Sequence, residues 1–290
     1  MTSCFKTFRL FNITRKGLKK IKGLISQEIN IMKTKKVVDH IVQWLCDYLD
    51  QSGLNGFAIG VSGGIDSAVT STLCAKTGKP VLALNMPIHQ ARDQVSRSSA
   101  HMTWLEHHFP GAKGIDIELT PVFEQIKICF PHDIQDGLTL ANTRSRLRML
   151  TLYAFASNHK LLVAGTGNKV EDFGVGFYTK YGDGGVDISP IADLTKSEVY
   201  ALGKDLGIIE DILAAPPTDG LWEDNRTDES QIGATYAELE WAMEYIASPE
   251  KKALSDREKQ VMTIFKTFNT ANRHKMVPVP VCLVPGELWA

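Results

Sequence analysis

The sequence predicts an α/β fold, a doubly wound and mostly parallel sheet with helices on both faces. Short apolar runs alternate with segments of helical periodicity, and such alternation produces parallel strands joined by right-handed crossovers. A glycine- and serine-rich turn also follows the first apolar run directly. Ligands in such sheets bind beyond the carboxyl ends of the strands, so we expect a site there.

The expected elements follow in chain order. Apolar residues between Val37 and Leu49 recur on one helical face, and Gly53 ends that helix. Strands and helices then alternate, with strands at 57–61, 80–86, 113–118 and 160–165 and helices at 66–77, 90–108 and 139–157. Polar segments follow three of these strands: "SGGIDS", "MPIHQ" and "GTGNKVED". We expect them to converge in space.

The region after the fourth strand is unusual. Residues 165–190 contain seven glycines, and a loop of this length in a compact domain is usually functional or mobile. A helix follows it, because Thr195 and Glu198 have the spacing of a capping box and Gly207 supplies a stop.

Composition and charge exclude several classes of protein. A chain of 290 residues with 43% hydrophobic content can bury one sizeable core. A formal net charge of -1 gives no global positive field for nucleic acid, and no apolar run approaches the roughly 20 residues of a membrane span. The 5 cysteines include no C-x-x-C pair, which favours a reducing compartment. We therefore expect a cytoplasmic protein without a nucleic-acid or membrane partner.

The first 31 residues differ from the rest of the chain. They carry seven lysines and arginines before the first acid, Glu28. A transit peptide has such a composition. We instead expect a disordered leader or an upstream start at residues 1–31, with Met32 as the natural beginning and residues 32–290 as a single domain.

The motif "SGGIDS" indicates an anion site at a strand-to-helix turn. It has neither the Gly-Lys-Ser/Thr ending of a Walker A loop nor the G-x-G-x-x-G pattern. Gly63 and Gly64 let the backbone approach an anion, and Ser62 and Ser67 add hydroxyl donors. Asp66 would repel phosphate unless Mg²⁺ lies between them. The alternative is a glycine-rich turn in which Asp66 caps the helix.

This motif resembles the pyrophosphate loop of the N-type ATP pyrophosphatases. Alone it would equally suit GMP synthetase, asparagine synthetase or a tRNA-modifying ligase. The stretch "GFYTKYGDGGVDISPIADLTKSEV", residues 176–199, closely resembles the second loop of NAD synthetases, and "GTGNKVED" resembles their adenine and metal segment. The similarity extends over roughly residues 33–280. It implies an adenine-nucleotide alpha-hydrolase-like fold.

The resemblance also implies a reaction, the amidation of nicotinic acid adenine dinucleotide (deamido-NAD). ATP adenylates the pyridine carboxylate, pyrophosphate leaves, and ammonia displaces AMP to give NAD. A carboxylate is a poor electrophile and must first become a mixed anhydride, a step that brings anionic groups together and needs Mg²⁺ and lysine charge. Glutamine-dependent relatives carry an added amidase domain, and only 31 residues precede Met32. We therefore expect ammonia as the nitrogen donor.

Site residues follow from the resemblance by motif position. The implied metal ligands are Asp66 and Glu171, and the implied catalytic residues are Asp183 and Lys196. Asp183 can hold or deprotonate ammonium, or simply order its loop. The implied contacts to ATP and pyrophosphate are Ser62, Gly63, Gly64, Asp66, Ser67, Thr166 and Thr218. The implied contacts to deamido-NAD are Arg146, Lys180, Asp187, His274 and Lys275.

Lys196 breaks a local rule, because it occupies the first position of its helix. A cation there opposes the helix dipole, so we expect an anion such as the adenylate phosphate in front of the helix. Removal of the charge, as in Lys196→Met, is expected to leave the protein folded and slightly more stable. The alternative is an exposed lysine on a favourable helix.

Three arginines lie on the helix 139–157. Arg146 shares a face with Leu150 and Tyr153 and matches an arginine position of the family, so we expect it to contact ligand. Arg144 and Arg148 are expected on a solvated face. The family resemblance also implies a homodimer, for which this apolar helix is the candidate interface.

One position departs from the family pattern. Some relatives have an arginine where this chain has Asn85, so a phosphate contact is either missing or supplied by Arg92. Two rival functions also remain open. One is another adenylating amidotransferase or a tRNA-modifying ligase, and the other is a nucleotide-binding sensor without turnover.

Overall fold

The computed structural model describes residues 32–222 and 226–289. The expected leader lies outside this range. The strands are β1 (Gly56–Gly60), β2 (Val81–Asn85), β3 (Ala112–Asp116) and β4 (Leu161–Val163). The helices are α1 (Thr34–Ser52), α2 (Ile65–Lys76), α3 (Arg92–His108), α4 (Thr120–Cys129), α5 (Gly137–His159), α6 (Lys196–Asp205), α7 (Glu210–Leu213), α8 (Asp228–Ile232), α9 (Tyr236–Ala247) and α10 (Asp256–Met276). Short 3₁₀ turns cover His132–Ile134 and Gly286–Leu288.

The four strands form one parallel sheet in the order β3-β2-β1-β4. Phe57 of β1 lies beside Val81 of β2 on one side and Leu162 of β4 on the other. The chain moves outward from β1 to β3 and then returns to the opposite side of β1. The strand order therefore reverses between β1 and β4, and a ligand crevice is expected at that point. The predicted doubly wound fold is confirmed.

Alternate residues of the strands pack on helices. Ala58, Leu82 and Leu84 lie in a core with Phe123 of α4 and Leu147 of α5. The helices α2 and α3 also contact the sheet. None of the described helices is long and apolar enough to cross a membrane.

The glycine-rich region is more ordered than the sequence suggested. It contains a π-helical turn, Val170–Val175, closed by Gly176 at φ +63°. The turn packs on α9 and α10 in a second core that includes Tyr236 and Phe265. Single π turns often occur at functional sites. This one places Glu171 and Asp172 in the cavity wall. Further on, a parallel bridge joins Ala164 to Ile188.

Candidate active site

The three polar segments meet at one cavity of about 230 Å³, as the sequence predicted. Its wall includes Ser62 and Asp66 from the first segment, Met86 from the second, and Thr166 and Glu171 from the third. The cavity therefore occupies the expected crevice beyond the carboxyl ends of β1 and β4.

The glycine- and serine-rich turn is tightly folded. Gly63 has φ +80°, and a Cβ atom there would lie 2.7 Å from the carbonyl oxygen of Gln94, so glycine is required. Ser67 donates from Oγ to the Gly64 carbonyl oxygen (3.0 Å) and accepts from the Ser62 amide (3.2 Å). The serine hydroxyls thus hold the loop itself. No side chain caps α2 at Gly64, which leaves its first amides available to an anion.

Asp66 does not cap the helix. It lies in the first turn of α2, and its carboxylate accepts from Asn168 Nδ2 (3.2 Å) and Lys196 Nζ (2.5 Å). Lys196 Nζ also donates to Glu171 Oε1 at 3.1 Å. We call Asp66, Glu171 and Lys196 the carboxylate centre. Its residues are separated by up to 130 positions in the sequence.

The local helix start at Lys196 is as predicted, but its environment is not. The capping box of Thr195 and Glu198 is present, with Glu198 Oε2 accepting from the Thr195 amide at 2.8 Å. Lys196 is buried, only 4% exposed, and the anions that offset the helix dipole are the protein's own carboxylates. Burial alone would lower the pKa of Lys196, but Asp66 and Glu171 outweigh it and raise the pKa. The lysine is therefore charged at neutral pH.

Sequence reasoning missed two residues that adjoin the carboxylate centre. Tyr236 donates from its hydroxyl to Glu171 Oε1 at 2.5 Å, and Asp228 Oδ2 lies 3.2 Å from the same hydroxyl. The Tyr236 ring also lies 4.6 Å from Lys196 Nζ. Burial, then the Glu171 charge, raises the pKa of Tyr236, so the hydroxyl keeps its proton. Both residues come from segments without a recognisable motif.

Four acidic side chains in the cavity wall have raised pKa values. Burial is the largest cause of the raised pKa of Asp66. Burial and the neighbouring Glu171 charge raise the pKa of Asp172 to about 8 and that of Asp228 to about 7. Burial likewise raises the pKa of Asp183. Clusters of this kind are frequent at functional sites.

The expectation that Arg144 and Arg148 lie on a solvated face of α5 was wrong. Arg144 is buried, stacks on Phe123 with its guanidinium carbon 4.5 Å from the ring centroid, and donates to the Leu221 carbonyl oxygen. Arg148 lines the cavity and donates to the Met86 carbonyl oxygen at 3.0 Å. Arg146 instead is exposed. Helix α5 contacts protein on the side of Arg144 and on the side of Arg148. The periodicity of its apolar residues therefore does not identify a single buried face.

At the end of β2, the structure differs from the expectation that Arg92 could replace the arginine of the family pattern. Asn85 is buried and donates to Asp116 Oδ1 at 2.7 Å. Arg92 is exposed and is not among the residues that line the cavity. Arg148 is the cation beside this strand end. Burial lowers its pKa to about 10, which keeps it charged at neutral pH.

Two further residues that were predicted to contact the nucleotide line the cavity. Thr166 follows β4, and Thr218 lies in the segment between α7 and α8. Thr218 donates from its hydroxyl to the Arg226 carbonyl oxygen (3.1 Å) and accepts from the Gly220 amide (3.3 Å). These bonds fix the segment that brings Thr218 to the cavity wall.

The second loop holds its two aspartates firmly. Asp183 accepts from the Ser145 hydroxyl (2.6 Å) and the Thr179 amide (3.0 Å), and it lines the cavity. Asp187 accepts from the Tyr153 hydroxyl (2.9 Å) and the Val163 amide (2.8 Å). Asp187 is not among the residues of the cavity wall. In the free chain both therefore order the loop.

Three of the basic residues that were predicted to contact deamido-NAD donate to main-chain carbonyl oxygens. Lys180 donates to the His274 carbonyl oxygen (3.0 Å), Lys275 to that of Tyr178 (2.6 Å), and Arg146 to that of Lys180 (3.3 Å). We call Arg146, Lys180 and Lys275 the basic rim. Within residues 32–222 and 226–289, none of the three forms a salt bridge, so their charges remain available to an anionic ligand.

Comparison with known proteins decides the family. A sequence model described as NAD synthase matches residues 37–278. The chain belongs to the NAD synthase family. The NH(3)-dependent NAD(+) synthetase of Alkaliphilus oremlandii is 36% identical over 258 residues, which cover 85% of this chain and 97% of that protein. The resemblance stated from the motifs is confirmed.

Solved structures agree with the family. NMN synthetase from Francisella tularensis has a TM-score of 0.77 and 30% identity, covering 88% of this chain and 99% of that one. The NH3-dependent NAD synthetase from Campylobacter jejuni has a TM-score of 0.72 and 24% identity, covering 87% and 100%, and supports the fold. Members of the NAD synthase family are ligases that form C–N bonds, so the expected enzyme class is confirmed.

Proposed function

We propose that this chain catalyses the ATP-dependent amidation of deamido-NAD to NAD, with ammonia as nitrogen donor and AMP and pyrophosphate as products. The observation that carries the proposal is the carboxylate centre at the strand-order reversal. There a buried ammonium and two carboxylates face an uncapped helix N-terminus, the combination needed to gather phosphates and a carboxylate.

The nucleotide half of the reaction uses the turn before α2. Ser62, Gly63, Gly64 and Ser67 shape a backbone cradle for the pyrophosphate, and Thr166 and Thr218 contact the rest of ATP. Some relatives have an arginine at the position of Asn85, and in this chain Arg148 supplies that cation. Lys196 neutralises charge as the mixed anhydride forms and as AMP leaves.

Asp66 and Glu171 would hold Mg²⁺. They fit the ion because they present hard oxygen ligands and already share one cation, the ammonium of Lys196. Mg²⁺ usually takes one or two carboxylates together with substrate phosphates and water. Bound there, it would offset the negative charge of the ATP phosphates.

The substrate half uses the basic rim. We assign Arg146, Lys180, Lys275 and His274 to the phosphates and carboxylate of deamido-NAD, since the three rim cations lack acidic partners. Asp187 positions the loop beneath them through Tyr153. Asp183 faces the cavity and receives the incoming ammonia, either holding ammonium or accepting its proton.

A homodimer and a cytoplasmic location complete the proposal, with residues 32–290 as its single domain. Leu138 and Leu150 of α5 are 62% and 63% exposed, which favours burial against a second copy. The four cysteines within the described ranges are free, which fits a reducing compartment. Light scattering at several concentrations measures the mass, and a purely monomeric enzyme with full activity would refute the dimer.

The test of function is direct. The purified chain is incubated with ATP, Mg²⁺, ammonium and deamido-NAD, and NAD, AMP and pyrophosphate are measured. Equal amounts of the three are expected, at a rate that rises with pH as neutral ammonia increases. Glutamine in ammonia-free buffer should give no NAD. Absence of turnover across varied pH would support the sensor instead.

A second substrate is included because of the similarity to the Francisella NMN synthetase. Nicotinic acid mononucleotide replaces deamido-NAD in a parallel assay. A higher kcat/KM for deamido-NAD supports the proposal. A higher value for the mononucleotide would assign the same chemistry to the smaller substrate.

A further inference from the structure

We propose that Tyr236 is a positioning residue for both cationic partners of the site: its hydroxyl orients Glu171 toward the metal, and its ring supports the ammonium of Lys196. The proposal rests on the proposed function, since it concerns Glu171 as a ligand of Mg²⁺. It assigns a role to a residue that no motif in the sequence marks.

The first observation is how the oxygens of Glu171 are used. Tyr236 and Lys196 both donate to Oε1, at 2.5 and 3.1 Å. Among the described residues, none donates to Oε2. A carboxylate fixed through one oxygen presents the other in a defined direction. Hydrogen bonds to ligating carboxylates commonly serve this purpose, and their loss weakens metal binding by about 10- to 100-fold.

The second observation is how Tyr236 is itself held. It is 5% exposed, it opens helix α9, and its amide donates to Glu229 Oε1 at 2.9 Å. Asp228, also 5% exposed, has Oδ2 at 3.2 Å from the Tyr236 hydroxyl and Oδ1 without a partner in the described chain. A phenol has one proton to donate. That proton goes to the shorter contact, on Glu171.

The third observation is the aromatic face. Lys196 Nζ lies 4.6 Å from the centroid of the Tyr236 ring, within the range of a cation–π interaction. This contact remains available when phosphate or metal competes with Lys196 for the carboxylates. Tyr236→Phe therefore removes only the hydroxyl function, and Tyr236→Leu removes both.

The test measures metal binding without turnover. Mn²⁺ is titrated into the protein bound to α,β-methylene ATP, which cannot release pyrophosphate, and free Mn²⁺ is read by electron paramagnetic resonance. We expect Tyr236→Phe to weaken Mn²⁺ binding by about 10- to 100-fold. Tyr245→Phe is the matched control on the same helix, because its hydroxyl binds only the Lys252 carbonyl oxygen among described residues, and it should leave binding unchanged.

A double-mutant cycle separates positioning from general damage. Tyr236→Phe should add little to the loss already caused by Glu171→Gln, because the hydroxyl acts through that carboxylate. Fully additive losses, or unchanged Mn²⁺ binding in Tyr236→Phe, would overturn the proposal. Should Tyr236→Phe not fold, the same cycle is run with Tyr236→Leu, and fully additive losses there would also overturn the proposal.

The aromatic role has its own readout. Tyr236→Leu should lower the rate of ATP–pyrophosphate exchange beyond the loss in Tyr236→Phe at saturating Mg²⁺. Equal rates in the two variants would refute the ring's role. If the wild-type protein binds neither Mn²⁺ nor the ATP analogue, the proposed function fails first. If the wild type binds Mn²⁺ and Tyr236→Phe binds it equally well, the proposal for Tyr236 fails while the proposed function stands.

Discussion

The carboxylate centre and the basic rim differ in what their charged groups bind. In the centre, Lys196 is buried and held by Asp66 and Glu171. In the rim, lysine and arginine side chains donate to main-chain carbonyl oxygens. The centre is thus electrostatically complete within one chain, whereas the rim keeps positive charge for a ligand. We expect changes in the centre to affect folding and chemistry together, and changes in the rim to affect binding alone.

The largest expected effect follows the loss of the ammonium in the centre. Lys196→Met leaves the largely buried carboxylates of Asp66 and Glu171, 16% and 15% exposed, without their cation, so we expect a loss of about 3 kcal/mol in the free energy of unfolding. This reverses the slight stabilisation expected from the helix dipole alone. It should also lower kcat by about 10²–10³. Denaturant unfolding and ATP–pyrophosphate exchange with deamido-NAD measure the two effects.

The effect of Mg²⁺ on the stability of Lys196→Met is a further test of this role. A dication shared by Asp66 and Glu171 should restore part of the stability of Lys196→Met in the presence of ATP, since ligand binding to the native state stabilises it. Lys169→Met is the control, because its partner Asp193 is exposed and surface pairs contribute little. An unchanged unfolding midpoint, or unchanged exchange, in Lys196→Met would contradict the role of this residue.

The second prediction concerns Asp66 alone. Asp66→Asn keeps the shape of the side chain, and Lys196 retains Glu171, so the protein should fold. Without the charge we expect a loss of about 10²–10³ in kcat, the scale of one electrostatic stabiliser. Asp193→Asn, which changes an exposed carboxylate, should be silent. Near-normal, Mg²⁺-dependent activity of Asp66→Asn would remove it from the metal site.

The sequence predicted what depends on local pattern. The strand-to-helix turn, the capping box at Thr195 and the strand positions follow from residues close together in the chain, and the structure contains them. The broken helix rule at Lys196 led to the expectation of a ligand anion, which stays a prediction, and the anions that the structure places at this lysine are protein carboxylates, Asp66 among them. The identity of that anion was not predictable, because Asp66 lies 130 residues away and is brought near only by the fold.

The errors have equally physical causes. Arg144 and Arg148 were expected on a solvated face, but Arg144 is buried and Arg148 lines the cavity. The face that carries Leu150 is the exposed one, since Leu150 is 63% exposed. An apolar helix face indicates burial without saying whether this chain or another copy covers it. Tyr236 was missed because a tyrosine at a helix start has no signature, and its partner Glu171 lies 65 positions earlier. The ligand roles of the rim remain predictions.

The third prediction concerns the loss of stability at low pH. His101 of α3 is fully buried and contacts the hydroxyl of Ser71 in α2 at 2.9 Å. Burial lowers the pKa of His101 to about 4, below the roughly 6.5 of an unfolded histidine. The unfolded chain therefore takes up a proton first, and stability falls as pH drops from about 6.5 toward 4.

Between pH 7 and pH 5 this residue should cost about 2 kcal/mol. Unfolding of His101→Gln measured across this range should show a shallower loss than the wild type. His108→Gln, which changes an exposed histidine of the same helix, is the control. Parallel pH profiles for His101→Gln and the wild type would show that burial of His101 does not make the free energy of unfolding sensitive to acid.

The smallest expected effect tests the rim. Arg146 is exposed and makes one long bond, 3.3 Å, to the Lys180 carbonyl oxygen, so Arg146→Gln should change the free energy of unfolding by less than about 0.5 kcal/mol. A cation that binds substrate and transition state equally raises KM without changing kcat when it is removed. We expect KM for deamido-NAD to rise by about 3- to 10-fold, the scale of one ordinary hydrogen bond, with KM for ATP unchanged. A fall in kcat with constant KM would instead assign Arg146 to the chemistry. Wild-type kinetics would remove it from the substrate site and leave its exposed position beside Leu150 as a dimer contact to be tested by light scattering.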